Sequence, residues 1–203
     1  MPLMPNTSVT SPELNIRRSA LLIFTLLTSL LLSACSSPVA NRIPLKETFP
    51  NVRGENLNQE RVSIPNDLKG EHRLLLIGYV QDSQFDIDRW LIGLDMTQTP
   101  VTAYELPTIE GMLPRMFETF INNGMRKGIP KQLWGGVVTV YQEAEKITAL
   151  TGTENPNNAR VILLGAKNEI LYFYDRGFAV DALNDLRDLV TTPKAALSTS
   201  STQ

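Results

Sequence analysis

The sequence predicts an α/β fold in which a mixed central sheet carries helices on both faces. Three observations lead there. A continuous apolar run, "RLLLIGYV" from Arg73 to Val80, has the composition of a strand covered on both sides. It leads directly into an amphipathic stretch, Ser83 to Asp95, which makes a strand–helix unit. Near the end of the chain, two β-rich runs separated by a short polar turn precede a stretch of helical periodicity, which reads as a hairpin and a closing helix.

Each element rests on its own pattern. In "QDSQFDIDRWLIGLD", Ile87, Trp90, Leu91 and Leu94 recur at helical spacing. Asp82 or Ser83 suits the N-cap, and Asp86 and Asp88 suit the positive end of the helix dipole. "VTAYEL", Val101 to Leu106, is β-rich and closed by Pro107. From Met112 to Lys127 the pattern places Leu113, Met116, Phe117, Phe120 and Ile121 on one side of a helix, with Pro114 in its first turn and Gly124 weakening its end. "GVVTVY", Gly136 to Tyr141, reads as a strand, and "QEAEKITALTG" as a short helix ended by Gly152. Val161 to Leu164 and Ile170 to Tyr174 form the hairpin around Gly165, Lys167 and Asn168. Ala182, Leu183, Leu186, Leu189 and Val190 form the stripe of the last helix.

This order of elements resembles the thioredoxin superfamily, with an inserted strand and short helix, Gly136 to Gly152, similar to the elaboration of peroxiredoxin-like members. The resemblance covers roughly Val62 to Val190, and Asn168-Glu169 stands where the family's hairpin turn has a glycine. It implies a thioredoxin-like fold with a reactive cysteine after the central strand, where a helix N-terminus stabilises a thiolate. Gln81, Asp82 and Ser83 fall at that place, and none can form a thiolate. The family also carries a cis-proline just before the hairpin, where this chain reads "NNAR", Asn157 to Arg160. Both departures exclude thiol–disulfide exchange and thiol peroxidase chemistry within the domain.

Other chemistry finds little support in the residues. His72 is the single histidine, lies at the strand edge and has no cysteine partners, so no metal is expected there. The alternative of an enzyme, hydrolytic and centred on Asp82 or Ser83, has no triad spacing behind it. Asp82, Asp86 and Asp88 could hold a cation, but acids at a helix start are also favoured without one. No phosphate-binding or dinucleotide fingerprint occurs, so no cofactor is expected. The formal net charge of −2 argues against a nucleic-acid surface.

The segment "NNGMRKGIPKQLWGG", Asn122 to Gly136, joins a helix to a strand and concentrates Arg126, Lys127, Pro130, Lys131 and Trp134. Exposed Arg and Trp of this kind are favoured at interaction hot spots, whereas a buried Trp134 would simply cover the core. Arg126, Pro130, Trp134 and Gly135 also resemble the Arg, Pro and Trp-Gly of the thioredoxin-like assembly factor of mitochondrial ATP synthase, which likewise lacks redox cysteines. That resemblance implies a chaperone for a membrane subunit.

The N-terminal region points to a different setting from that family's. Arg17 and Arg18 precede an apolar stretch, Ala20 to Leu32, that ends in "LLSAC" and the only cysteine of the chain, Cys35. The stretch is short for a membrane span, which needs about 20 apolar residues. Leu-Ser-Ala-Cys resembles the bacterial lipobox, which implies cleavage after Ala34 and acylation of Cys35. Several acyl chains hold a protein on a membrane stably. Ser36 after the cysteine resembles the sorting signal for the outer membrane rather than the inner. The expected organisation is a signal peptide over 1–34, a lipidated N-terminus and tether over 35–47, a thioredoxin-like domain over 48–192 and a disordered tail over 193–203. The expected function is a lipid-anchored, non-enzymatic lipoprotein on the periplasmic side of the bacterial envelope that binds another envelope protein or assists its assembly.

Overall fold

The structure, a computed structural model, describes residues 38–111, 114 and 116–192. The expected signal peptide, Cys35 to Ser37, Met112, Leu113, Arg115 and the tail after Thr192 lie outside the described residues.

The apolar run becomes strand β3, Arg73–Gly78, and all six of its residues are buried. It lies between β4, Thr102–Pro107, which runs parallel to it, and β6, Arg160–Leu164, which runs antiparallel. β7, Ile170–Tyr174, completes the hairpin with β6 at the sheet edge. At the turn, Asn168 adopts a φ of +66°, so asparagine takes the left-handed position a glycine would fill. A second sheet joins β1, Val52–Asn56, to β2, Arg61–Ile64, and to β5, Val138–Thr139, both antiparallel. The strand expected over Gly136 to Tyr141 is therefore only two residues long. Single parallel bridges, Glu105 to Val137 and Thr108 to Val140, tie its flanks to β4.

Strand alternation sends neighbouring side chains to opposite faces, and two cores result. Leu75, Ile77, Leu106, Ile162 and Leu164 meet Ala144, Ile147 and Leu150 of helix α3, Ala144–Thr151. Leu74, Leu76, Val161 and Leu163 meet Ile87, Trp90 and Leu94 of helix α1, Gln84–Met96, together with Leu183 and Leu186 of helix α4, Val180–Thr191. The mixed sheet with helices on both faces is as expected. Gly152 ends α3 at a φ of +78°.

Two expectations are overturned. Residues 38–47, read as a tether, are docked on the domain as a strap. Val39 N–H donates to Thr153 Oγ1 at 2.8 Å, Thr153 N–H returns a bond to Val39 O at 2.8 Å, and Lys46 N–H donates to Ile170 O at 2.9 Å. A polar, proline-bearing segment looks like a linker until its backbone groups find partners more than 100 residues away. Helix α2, Glu118–Gly128, begins later than expected, beyond Pro114, and runs through Gly124. It also turns the other way: Asn122 is buried, while Met116, Phe117 and Phe120 are exposed. The reason is polar pairing, because Tyr141 Oη donates to Asn122 Oδ1 at 3.2 Å and Asn122 Nδ2 lies 3.5 Å from Glu55 Oε1.

Candidate functional site

At the junction after β3 the chain turns through a 3-10 segment, Gln81–Ser83, before α1 begins. Gln81 and Asp82 are exposed, but Ser83 is 2% exposed. Neither Asp82 nor Ser83 caps α1 through its side chain. The Ser83 hydroxyl instead donates to Val80 O at 2.6 Å. Gly78 faces it so closely that a Cβ there would strike Ser83 Oγ, so strand end and turn are pressed together. A hydroxyl held in this way is poorly placed to attack anything from solvent.

Asp86 does more than face the helix dipole. Its buried carboxylate accepts from Ala159 N–H at 2.8 Å and from Phe178 N–H at 2.6 Å. Ala159 belongs to the "NNAR" segment where the resemblance leads one to look for a cis-proline, and a proline would have no N–H to donate. The carboxylate thus pins the entry to β6 and the loop after β7 onto α1. Trp90, one turn further, packs edge-on against Tyr174 and Phe178 with centroids 5.8 and 5.5 Å away. Beside the junction, Gln84 Nε2 donates to Asp88 Oδ1 at 2.9 Å and to Glu105 Oε2 at 3.2 Å. Burial pushes the Glu105 carboxyl above the usual carboxylate range, and the Gln84 bond opposes it.

In the Asn122 to Gly136 segment, Arg126 is tied inward. Its Nε donates to Leu57 O at 2.7 Å, its Nη1 to Asn123 Oδ1 at 2.7 Å, and its guanidinium sits 6.0 Å from the Trp134 ring centroid. Trp134 is half-buried, and its Nε1 donates to Ile129 O at 2.9 Å while its carbonyl accepts from Leu57 N–H. These two side chains hold the end of α2 and the 3-10 stretch Lys131–Gly136 against the turn after β1. What they present outward is Pro130, Lys131, Leu133 and Gly135, all exposed, with Leu133 at 56%. Arg126 and Trp134 therefore support this surface, and the exposed residues form it. Beneath α2, a polar cavity of about 280 Å³ is lined by Arg53, Glu55, Arg61, Glu118 and Tyr141. Burial, followed by the nearby Glu118 and Glu55, pushes the Tyr141 phenol up.

Two arginines that sequence reasoning passed over organise the interior. Arg73 donates to Pro65 O at 3.3 Å, to Asn168 Oδ1 at 2.8 Å and to Gly165 O. Arg160, fully buried, donates to the carbonyls of Asn155, Asn158, Gly152 and Glu154 and to Asn41 Oδ1 of the strap. Its guanidinium also lies 5.3 Å from the centroid of Tyr79. Burial is the main cause that pushes the Tyr79 phenol up to about 12; Thr151, hydrogen-bonded to it, and the Arg160 charge oppose this. The available signal was an arginine opening each of the two most apolar strands, "RLLLIG" and "RVILL". His72 is half-buried, and among the described residues no group of three or more His, Cys, Asp or Glu could hold a metal ion.

The architecture is matched among solved structures. A putative protein disulfide isomerase from Bacteroides thetaiotaomicron superposes with a TM-score of 0.51 at 8% identity, covering 77% of this chain and 96% of that one. A thiol peroxidase from Chromobacterium violaceum superposes with a TM-score of 0.50 at 13% identity, covering 73% of this chain and 89% of that one. The fold is thioredoxin-like. No family model matches the chain, and no curated protein matches it. The sequence holds one cysteine, Cys35, and none in the thioredoxin-like domain.

Proposed function

We propose that this protein is a lipid-anchored, redox-inactive thioredoxin-like lipoprotein that binds another protein of the bacterial envelope or assists its assembly. The observation that carries the reading is the junction after β3, where the fold's reactive thiol would sit. It holds Gln81, Asp82 and Ser83, and the Ser83 hydroxyl is turned into its own backbone. The reading uses no cofactor and no metal. Acylation at Cys35 keeps the chain on the periplasmic side of the outer membrane, and the surface Pro130, Lys131, Leu133 and Gly135, supported by Arg126 and Trp134, meets the partner. An apolar side chain on a rigid, cation-bearing loop suits a protein contact. Hydrolysis at Asp82 or Ser83 is the weaker reading, because Ser83 is buried and its hydroxyl is given to the Val80 carbonyl.

The test is an in-cell crosslink and pull-down of the lipidated chain, comparing wild type with Leu133→Asp, which touches only the exposed tip. Loss of one specific envelope protein in the variant supports the reading and identifies the partner. An unchanged set removes this segment as the binding surface, and the absence of any specific partner removes the function.

A further inference from the structure

Helix α2 packs with its polar side inward. Phe117 and Phe120, at its start, face solvent, while Glu118, Asn122 and Arg126, four residues apart along the helix, face the three-stranded sheet. A helix that covers a sheet ordinarily does so with its apolar stripe. Here the sheet meets it with polar groups as well, because Arg61, Glu55 and Thr139 stand in one row across β2, β1 and β5. They lie on the face opposite that of Val138, the neighbour of Thr139 in β5, which belongs to the core.

This polar layer contains the cavity of about 280 Å³, and two buried groups at it lack partners. Thr139 is 0% exposed and lines the cavity, yet its Oγ1 has no hydrogen-bond partner among the described residues. Arg126 Nη2, 3.9 Å from Glu55 Oε1, is buried and likewise makes no hydrogen bond among them. Buried polar atoms in native proteins are paired, and an orphan at a cavity wall marks the place of a partner from outside the chain.

The charges select its chemistry. Arg53 is compensated by Glu143 at 3.4 Å, and Glu55 by Arg126. Arg61 and Glu118 remain, one guanidinium and one carboxylate at the same cavity, and neither forms an ion pair among the described residues. An anion alone would leave the Glu118 carboxylate uncompensated, and a cation alone the Arg61 guanidinium. A molecule that carries both charges serves both.

We infer that the cavity beneath α2 binds a small zwitterion of the α-amino acid class, its carboxylate towards Arg61, its ammonium towards Glu118, and the Thr139 hydroxyl as its buried hydrogen-bonding partner. The polar lining suits small side chains such as those of glycine, alanine and serine. The inward turn of the polar side of α2 then builds the site. The inference is independent of lipidation and of a protein partner.

Its test is isothermal titration calorimetry on the purified full chain in detergent. The ligands are glycine, L-alanine, D-alanine and L-serine, with acetate and ethylamine as controls that carry one charge each. The expected result is a Kd of about 1 mM or tighter for at least one amino acid, with both controls at least about tenfold weaker. Arg61→Gln, at an exposed position, should weaken binding about tenfold, and Thr139→Val about fivefold. Thr139→Val should also leave Tm unchanged or raised, because it removes a buried hydroxyl that has no partner in the fold. Failure of all four amino acids to bind overturns the inference. Acetate or ethylamine bound as tightly as the amino acid overturns the zwitterion, and undiminished affinity in both variants overturns the site. A lowered Tm for Thr139→Val shows that the hydroxyl is used within the fold, which removes the observation behind the site and overturns it.

Discussion

Replacing Asp86 with alanine removes a carboxylate that holds three parts of the chain together. Both of its oxygens accept buried backbone N–H groups, Ala159 at 2.8 Å and Phe178 at 2.6 Å. Hydrogen bonds to a charged acceptor contribute about 1.5–3 kcal/mol each, and a buried donor left unpaired carries a desolvation cost of about 1–3 kcal/mol. Alanine leaves two such donors at the base of α1, so the expected loss is about 3–5 kcal/mol, at the upper end of single substitutions. For a chain of this size that lowers Tm by about 10 °C. Asp86→Asn keeps one acceptor oxygen but turns an NH₂ towards the second donor, and is expected to lose about half as much. The assay is urea unfolding followed by tryptophan fluorescence, since Trp90 packs on Tyr174 and Phe178 beside the pinned loop. A loss below about 1 kcal/mol for Asp86→Ala would refute the pin, because water would then be replacing both bonds at little cost.

Three further outcomes are expected. Gly152→Ala puts a Cβ into the Ala40 carbonyl and the Asn41 backbone at a φ of +78°; it should cost about 2–3 kcal/mol and speed proteolytic cleavage between residues 38 and 44, and unchanged protection would show that the strap does not depend on this approach. Burial raises the Glu105 pKa above 4.5, so the folded chain holds that proton to higher pH than the unfolded chain. The associated stability is full below the unfolded pKa and is lost as pH rises through the folded one, so Glu105→Gln should be the more stable form near pH 7 and lose its advantage towards about pH 4 in parallel urea melts. Arg126→Ala should destabilise by about 2 kcal/mol through loss of the Leu57 carbonyl bond and the Trp134 stacking, whereas Leu133→Asp should stay within about 0.5 kcal/mol of wild type; equal melting of the two variants would mean that Arg126 does not support the segment.

Local periodicity was a good guide where burial is symmetric and a poor one where it is not. The six buried residues of β3 and the stripe Ile87, Trp90 and Leu94 were legible because continuous apolar runs and 3.6-residue spacing have few other uses. The stripe Met116, Phe117 and Phe120 was equally regular, yet it faces solvent. Periodicity shows that a helix has two faces, and it cannot show what stands opposite either of them. The segment around Trp134 was visible as a composition, but its division into supporting and presenting residues depends on the carbonyls of Leu57 and Ile129, which no pattern announces.

The sequence by itself determined the order of strands and helices from β3 onward, the lone cysteine at the end of an apolar run, and the lack of a thiol after the central strand, whereas β1 and β2 carried no pattern that announced them. Each is a property of neighbours along the chain, or of residue identity alone. Only the tertiary structure decided that residues 38–47 are docked and that Asp86 is a pin. It also decided that Arg160 joins four carbonyls to the strap and that α2 buries an asparagine while exposing phenylalanines. In each case a polar group is buried because partners far away in sequence satisfy it, and the energy of such a group is set by those partners rather than by its own hydropathy.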